Sequence, residues 1–213
     1  MEDVIDVYQR PYDPCFPVVC FDESSKQLIG EVRAPVSMTA NHPRLQDDEY
    51  VRNGVAEILL GVEPLAGRRH IEITPTRTRV DFARFARKLV DEMYPNAVRV
   101  VLVLDNLNTH GVASLYEAFP PEDAHRIAER LEIHYTPKHG SWLNIAEIEL
   151  SALKAGCLDR RIPDIATMRR EVEAWTTERN NRFCKVDWHF TVGEAREKLR
   201  RLYPVFTKEK NSN

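Results

Sequence analysis

The chain has 213 residues, of which 43% are hydrophobic and 30% are charged, so one well-packed domain is expected. The formal net charge is -3 and the pI is near 6.2, which argues against a protein that coats nucleic acid through bulk positive charge. The acidic N-terminus lacks the apolar run of a signal peptide, and no segment approaches the roughly 18 apolar residues of a membrane span. We therefore expect a cytoplasmic protein with no membrane partner.

Several common site types have no motif in this sequence. The four cysteines, at positions 15, 20, 157 and 184, form no C-x-x-C pair, and no histidine cluster has zinc-ligand spacing. We expect reduced thiols. Neither a G-x-G-x-x-G turn nor a G-K-[ST] loop occurs, which argues against a dinucleotide or P-loop nucleotide site.

The N-terminal half is dominated by strand patterns. Residues 16–24 predict a short buried strand that stops at Asp22, and residues 26–35 predict a second short strand before a loop at 35–49. The segments 50–64 and 68–75 read as the two arms of an antiparallel hairpin around a Leu-Ala-Gly turn.

The remainder alternates between helix and strand patterns. Apolar residues at helical spacing predict a helix over 81–95, whereas the unbroken apolar run at 98–105 predicts a strand buried on both faces. A further strand is predicted at 131–137. Further helices are predicted at 111–119, 122–131, 141–156, 163–180 and 191–204, the last opening with a Thr191/Glu194 capping box. This order indicates an α/β fold with a mixed sheet and helices on both faces.

Two predicted strands end at a carboxylate, Asp22 in one and Asp105 in the other. If these strands are parallel neighbours, the two carboxylates meet at one edge of the sheet, where each raises the pKa of the other. A hard divalent cation such as Mg²⁺ is the usual partner that offsets this repulsion. The alternative is that each aspartate only caps a turn or a helix, which is the commoner role of an aspartate at the end of a strand.

A third acid is expected on the helix at 141–156, which carries Glu147 and Glu149. Residues two positions apart in a helix point about 200° apart around its axis, so only one of the two glutamates can face the aspartates. Both have apolar neighbours, and periodicity leaves the choice open. Three such acids can hold two Mg²⁺ ions for an in-line phosphodiester displacement. The polar residues Asn106, Asn108 and His110 would then surround the metal ligands and orient metal-bound water or phosphate without binding the ion themselves. The alternative for His110 is a half-buried structural histidine.

Three segments carry a resemblance to a known family: FPVVCFDESS (16–25), LVLDNLNTH (102–110) and HYTPKHGSWLNIAEIEL (134–150). They closely resemble the catalytic segments of the DDE transposases of bacterial insertion sequences in the mariner-like superfamily. The resemblance extends from about residue 12 to residue 204. It implies a ribonuclease H-like fold with a mixed five-stranded sheet flanked by helices. It also selects Asp22, Asp105 and Glu147, the last because the family's glutamate lies three residues after an asparagine, here Asn144.

The resemblance further implies an activity. The implied reaction is metal-dependent cleavage at insertion-sequence ends followed by strand transfer, and it uses two Mg²⁺ or Mn²⁺ ions. The implied substrate is double-stranded DNA with a TA-rich target, bound by a homodimer. The alternatives are a nuclease of the same fold that only hydrolyses, and a catalytically silent remnant that binds DNA or a transposase.

The sequence departs from the family pattern in three ways. Ile145 stands where the family usually has proline, and an insertion at 120–127 lengthens the Asp105–Glu147 spacing. We also expect this chain to lack the N-terminal helix-turn-helix modules that the family carries. We expect a short lead-in at 1–15, a catalytic domain at 16–204 and a disordered tail at 205–213. Such a chain would be a split-frame product, a truncated copy or an excised catalytic domain, and a separate helix-turn-helix chain would read the element ends.

Some basic and aromatic residues near the predicted active edge are candidate DNA contacts. On the loop before the Glu147 helix they could grip phosphate or stack on a base, although Trp142 is equally compatible with a core position. The arginines farther along the chain could contact flanking DNA or simply form a solvated face. The candidates are Lys138, His139, Trp142, Lys154, Arg160 and Arg161.

Overall fold

The computed structural model describes residues 1–33, 48–138 and 140–203, with the side chain of residue 202 left aside. Its centre is a five-stranded sheet with the strand order β3-β2-β1-β4-β5. The strands are β1 (Val18–Glu31), β2 (Tyr50–Glu63), β3 (Arg68–Thr74), β4 (Val100–Leu104) and β5 (Leu131–Tyr135). The first three are antiparallel neighbours, while β4 is parallel to both β1 and β5. The predicted mixed sheet is therefore confirmed.

The strand β1 corrects two predictions. It is one element of 14 residues rather than two short strands, and Asp22 lies inside it rather than at its end. The reason is the partner strand, because β2 is equally long and pairs with β1 from Cys20↔Val62 to Glu31↔Tyr50. Backbone pairing with β2 therefore carries the polar stretch after Asp22 as a strand. The predicted loop at 35–49 falls mostly outside the described residues.

Helices cover both faces of the sheet. One face carries α2 (Arg79–Lys88, continued by a π-helical turn at Leu89–Met93), α3 (Val112–Ala118) and α4 (Pro121–Glu129). The other carries α1 (Glu2–Tyr8), α5 (Ala146–Leu153), α6 (Ile165–Asn181) and α7 (Val192–Lys198). Side chains alternate along each strand. Phe21 therefore packs in the core on the side of α2, α3 and α4, and Cys20 packs in the core on the side of α1 and α5. Within the described ranges, no helix is long and apolar enough to cross a membrane.

The helix α1 was not predicted from the sequence. It lies within the expected lead-in at 1–15, yet Val4, Ile5 and Val7 are buried in the same core as α5. The Tyr8 hydroxyl donates a hydrogen bond to the carbonyl oxygen of Leu143 at 2.8 Å. The N-terminal residues are therefore part of the folded domain.

The single helix predicted at 141–156 is divided into three parts. A 3₁₀ turn at Ser141–Leu143 precedes α5, and a π-helical turn at Lys154–Leu158 follows it. Asn144 separates the 3₁₀ turn from α5 because its backbone is extended, with φ -82° and ψ 109°. Its side-chain oxygen accepts a hydrogen bond from the backbone N–H of Ala146 at 3.2 Å.

The helix α6 covers the outer edge of β3 with side-chain hydrogen bonds. Arg169 donates to the carbonyl oxygen of Ile73 from Nε at 3.1 Å and from Nη2 at 2.9 Å. Asn180 accepts from the backbone N–H of Arg69 at 2.8 Å and donates to its carbonyl oxygen at 3.0 Å. These contacts satisfy backbone groups that would otherwise face outward from the sheet.

Candidate active site

The sheet brings Asp22 and Asp105 to the same end of neighbouring strands. In the parallel pair β1–β4, Cys20 stands opposite Val103. Two residues farther along, Asp22 lies within β1 and Asp105 lies immediately beyond the end of β4. Because side chains alternate along a strand, Asp22 projects to the face on which Cys20 packs, which is also the face covered by α5. The carboxylate of Asp105 is turned instead onto His110, whose ring packs against Phe21 and Phe82 on the other side of the sheet. The two strands are parallel neighbours, which is the condition that the sequence argument set.

The helix α5 brings Glu147 toward the aspartates. Ala146 and Leu150 are buried against the sheet, while Glu147 is only half-buried. The Asn144 side chain fixes the start of the helix, because its amide donates to the carbonyl oxygen of Phe21 at 2.7 Å. Phe21 directly precedes Asp22, so the asparagine ties the glutamate-bearing segment to β1 beside the first aspartate.

The three carboxylates influence one another electrostatically. The pKa of Asp22 is raised to about 6, first by burial and then by repulsion from Asp105 and Glu147. The backbone N–H of Glu23, which donates to the Asp22 carboxylate at 2.8 Å, opposes this shift. Burial and like charge are the conditions that a bound cation would relieve.

Asp105 is held by a buried histidine whose second partner the sequence did not reveal. His110 Nδ1 lies 2.5 Å from Asp105 Oδ1, and His110 Nε2 lies 3.2 Å from Glu23 Oε1. Burial lowers the pKa of His110, but its bonds to Asp105 and Glu23 outweigh that effect and raise the pKa to about 9. Arg77 reaches Glu23 at 3.4 Å. The sequence offers one hint that Glu23 contacts His110, which is that Glu23 follows Asp22. This hint is weak, because adjacent residues on a strand point to opposite faces of the sheet.

Glu149 has a structural environment that differs sharply from that of Glu147. Its side chain is fully buried, and its two oxygens accept hydrogen bonds from Arg69 at 2.7 and 3.0 Å and from Arg179 at 2.7 and 2.9 Å. Burial raises the pKa of Glu149, but the two guanidinium groups more than compensate and lower it overall. Glu149 is thus committed to an internal ion pair, whereas the half-buried Glu147 acts electrostatically on Asp22.

The other predicted site residues are spread around this centre. Asn106 and Asn108 are exposed on the turn after β4, and Asn144 is buried. Lys138 and Lys154 are exposed, and Trp142 is 43% exposed with its ring against Phe190. His139 lies outside the described residues.

The two predicted arginine contacts are engaged within the protein. Arg160 forms a salt bridge with Glu171, and Arg161 forms one with Glu31 at 2.5 Å. Because both have internal carboxylate partners, these two arginines fit a DNA-contacting role less well than the exposed Lys154.

The residues present suit a hard divalent cation by donor type. Three carboxylates approach one edge of the sheet, and carboxylate oxygens are the ligands that Mg²⁺ prefers. In the part of the chain that the structure describes, however, no three acidic, histidine or cysteine side chains converge closely enough to hold one ion as they stand. Asp105 is turned onto His110 instead.

Residues 17–169 match the model of a protein family described as DDE superfamily endonuclease. This match covers most of the chain and includes Asp22, Asp105 and Glu147. A comparison with functionally curated proteins gives no match.

The fold is similar to that of solved mariner transposase structures. The Mos1 strand transfer complex aligns with a TM-score of 0.56 at 13% identity, covering 85% of this chain and 54% of that chain. The Mos1 paired-end complex with Mn aligns with a TM-score of 0.55 at 14% identity, covering 85% and 55%. The catalytic domain of Mos1 transposase aligns with a TM-score of 0.52 at 13% identity, covering 85% and 81%. The ribonuclease H-like fold is confirmed, and the chain spans about half the length of the Mos1 chains in the complexes.

Proposed function

We propose that this chain, which belongs to the DDE superfamily endonuclease family, cuts DNA strands at the edge of the sheet that Asp22, Asp105 and Glu147 approach. The observation that carries the proposal is the raised pKa of the half-buried Asp22, which is caused first by burial and then by repulsion from Asp105 and Glu147. Three carboxylates near one half-buried edge support a cation-dependent reaction, because His110 compensates their mutual repulsion only in part.

Asp22, Asp105 and Glu147 would hold one or two Mg²⁺ or Mn²⁺ ions. When bound, such ions supply an activated water or 3′-hydroxyl and stabilise the leaving oxygen of the phosphodiester. Structures of Mos1 transposase with Mn and with Mg support the choice of cation. Glu149 is excluded from this set because its carboxylate is already paired with Arg69 and Arg179.

Two neighbouring residues would position the acids. His110 lies between Asp105 and Glu23, so it fixes the orientation of the Asp105 carboxylate and the ring tautomer together. Asn144 holds the start of α5 against β1. Both side chains are buried and act on the acids rather than on the substrate. The exposed Asn106, Asn108 and Lys154 remain available for phosphate contacts.

The substrate proposed for this site is double-stranded DNA at the ends of an insertion sequence, with transfer of the freed 3′-hydroxyl to a TA-rich target. The Mos1 strand transfer and paired-end complexes support this choice. A homodimer on DNA, and end recognition by a helix-turn-helix module carried on a separate chain, complete the proposal.

The test is Mn²⁺-dependent nicking of supercoiled plasmid by the wild type and Asp105→Asn. We expect the wild type to nick and Asp105→Asn to be inactive while retaining the wild-type circular dichroism spectrum. Asp123→Asn, an exposed aspartate on α4, is the matched control and should nick normally. Nicking by Asp105→Asn at the wild-type rate would refute the assigned centre.

A second candidate is a chain that binds DNA or a transposase without cutting. It is favoured by the present separation of the acids, of which no three described side chains converge on one point. Plasmid binding without nicking in either Mg²⁺ or Mn²⁺ would support this candidate. Nicking without joining of a labelled 3′-hydroxyl end would instead indicate a nuclease that only hydrolyses.

A further inference from the structure

An open groove of about 750 Å³ lies away from the acids, at the end of the sheet where β1 begins. Its walls are the chain after α1, the turn between β2 and β3, and the extended segment 183–189. The turn lies at this end because Val62, near the end of β2, pairs with Cys20. β1 runs four residues from Val18 to Asp22, about 13 Å at 3.3 Å per residue. The groove is therefore separate from the candidate active site.

The groove carries exposed aromatic rings. Tyr12 is 56% exposed and Phe183 is 61% exposed. Both rings line the same groove, one on the chain after α1 and one at the start of the segment 183–189, so the groove offers two large apolar faces to a ligand. Nucleic-acid bases stack on such rings without sequence preference, because every base offers a π-face.

The conformation of Phe183 is a second, independent observation. Its φ is +47°, which bulky residues rarely adopt, and it is the only described non-glycine residue with a positive φ. The surrounding contacts hold it there. Gly67 packs directly against the Phe183 backbone, since a Cβ atom at Gly67 would lie only 2.7 Å from the Phe183 carbonyl carbon. The guanidinium of Arg69 donates a hydrogen bond to the carbonyl oxygen of the next residue, Cys184. Phe183 occupies the left-handed position that ends α6, where its N–H donates to the carbonyl oxygen of Asn180 at 3.0 Å. Glycine usually fills this position, whereas here the chain places a large exposed ring there.

Unpaired positive charge lines the same groove. Arg68 and Lys185 are exposed, and neither forms a salt bridge or a side-chain hydrogen bond with any residue that the structure describes. Arg68 acts through space on Glu63 and Tyr94, whose pKa values it lowers. The other charges of the groove are partly compensated, since Arg10 pairs with Glu132 at 2.7 Å and His189 lies 3.7 Å from Asp187. The net balance favours a polyanion.

We infer that this groove binds a single strand of DNA, with bases stacked on Phe183 and Tyr12 and phosphates held by Arg68 and Lys185. A paired duplex buries the faces of its bases, so the exposed rings favour unpaired strands. The inference rests on the proposed function only for the choice of DNA over RNA. In that setting the groove would hold an unpaired flank while another part of the DNA occupies the acidic edge.

The experiment measures binding of a fluorescent 20-nucleotide oligothymidylate by anisotropy, with the full chain in EDTA over a series of salt concentrations. Phe183→Asn removes the ring, and asparagine tolerates positive φ, so the fold is preserved. We expect this variant to bind the oligonucleotide at least roughly five-fold more weakly than the wild type, with an unchanged slope of log K against log salt. Phe183→Trp should retain binding. If Phe183→Asn proves unfolded by circular dichroism, the exposed Tyr12→Ala tests the stacking instead.

The double variant Arg68→Ala/Lys185→Ala tests the contribution of the two positive charges. Each phosphate contact to a single strand contributes about 0.7 to the slope of log K against log salt, so the loss of both should flatten the slope by about 1.4. Arg84→Ala, an exposed arginine on α2, is the matched control and should keep the wild-type slope. Wild-type affinity and slope in all groove variants would overturn the inference.

Two further outcomes separate this inference from other possibilities. Asp105→Asn should bind the oligonucleotide like the wild type, and because EDTA removes any metal, failure of the proposed cleavage leaves this result untouched. If sedimentation shows instead that the chain dimerises and that the groove variants abolish the dimer without changing oligonucleotide binding, the occupant is a second copy and the inference is wrong.

Discussion

The side-chain amide of Asn144 bridges the residue before Asp22 and the residue before Glu147. Its Nδ2 donates to the carbonyl oxygen of Phe21 at 2.7 Å, and its Oδ1 accepts from the backbone N–H of Ala146 at 3.2 Å. One buried amide therefore sets the distance between the backbone that carries the first acid and the backbone that carries the third. No other residue type supplies a donor and an acceptor of this size and spacing at one position.

The first prediction tests this bridge. Asn144→Ala leaves a buried carbonyl and a buried N–H unpaired, so the free energy of unfolding should fall by about 1–3 kcal/mol. Urea denaturation measures the change. Asn108→Ala, at an exposed asparagine, is the control and should stay within about 0.5 kcal/mol of the wild type. Equal stability of the two variants would contradict the bridging role.

The two glutamates of α5 should respond oppositely to the same substitution. Glu149→Gln leaves the buried guanidinium of Arg69 without its charge partner, which should lower the free energy of unfolding by about 3–5 kcal/mol. Glu147→Gln should keep the stability within about 1 kcal/mol and abolish metal-dependent nicking. Each variant is the control of the other, measured by urea denaturation and plasmid nicking. The reverse pattern would exchange the roles assigned to the two residues.

The N-terminal helix should contribute strongly to stability. Ile5 is fully buried in the core shared with α5, so Ile5→Ala should lower the free energy of unfolding by about 2–5 kcal/mol. The neighbouring Asp6 is exposed, and Asp6→Ala should change stability by less than about 0.5 kcal/mol. If thermal and urea denaturation find Ile5→Ala as stable as Asp6→Ala, α1 does not pack as described.

Acid should destabilise the fold through Glu72 on β3. A hydrogen bond from His70, together with the Lys88 ammonium at 2.7 Å, lowers the pKa of Glu72 to about 2. A carboxyl whose pKa is lower in the folded state than in the unfolded chain stabilises at neutral pH, and this contribution is lost as the pH falls from about 5 to 2. Glu72→Gln should remove about 1–3 kcal/mol at pH 7 and flatten the acid dependence of unfolding.

The control for this prediction is Glu122→Gln, at an exposed glutamate on α4. It should follow the wild-type pH profile. A Glu72→Gln profile parallel to the wild type between pH 5 and 2 would show that the paired carboxylate does not contribute in this range.

Features that depend on short-range periodicity could be predicted from the sequence. The alternating and unbroken apolar runs located the strands, and the β1–β4 register shows that the strand carrying Asp22 and the strand preceding Asp105 are parallel neighbours. The strand boundary at Asp22 was wrong because the length of β1 is set by β2, which lies far along the chain. The helix α1 was missed because its seven residues span only two turns, too few for a periodic pattern to stand out.

The choice between the two glutamates could not be made from periodicity, because it depends on partners from distant elements. Arg69 on β3 and Arg179 on α6 pair with the carboxylate of Glu149. Neither spacing nor composition in the sequence indicates these contacts. The contact between Glu23 and His110 is of the same kind, since the two residues are brought together only by the packing of the turn after β4. Sequence patterns describe single elements, whereas these pairings arise between elements.

The hydrogen bonds from Arg169 and Asn180 to β3 have a consequence for how copies of the chain coexist in solution. An uncovered edge strand is a template on which a second molecule can add its own strand, and this is a common route to aggregation. Here two side chains of α6 occupy the outward-facing backbone groups of Ile73 and Arg69. A concentrated solution of the protein is thereby protected against sheet-to-sheet association at this edge, and variants that loosen α6 would lose that protection before the sheet itself unfolds.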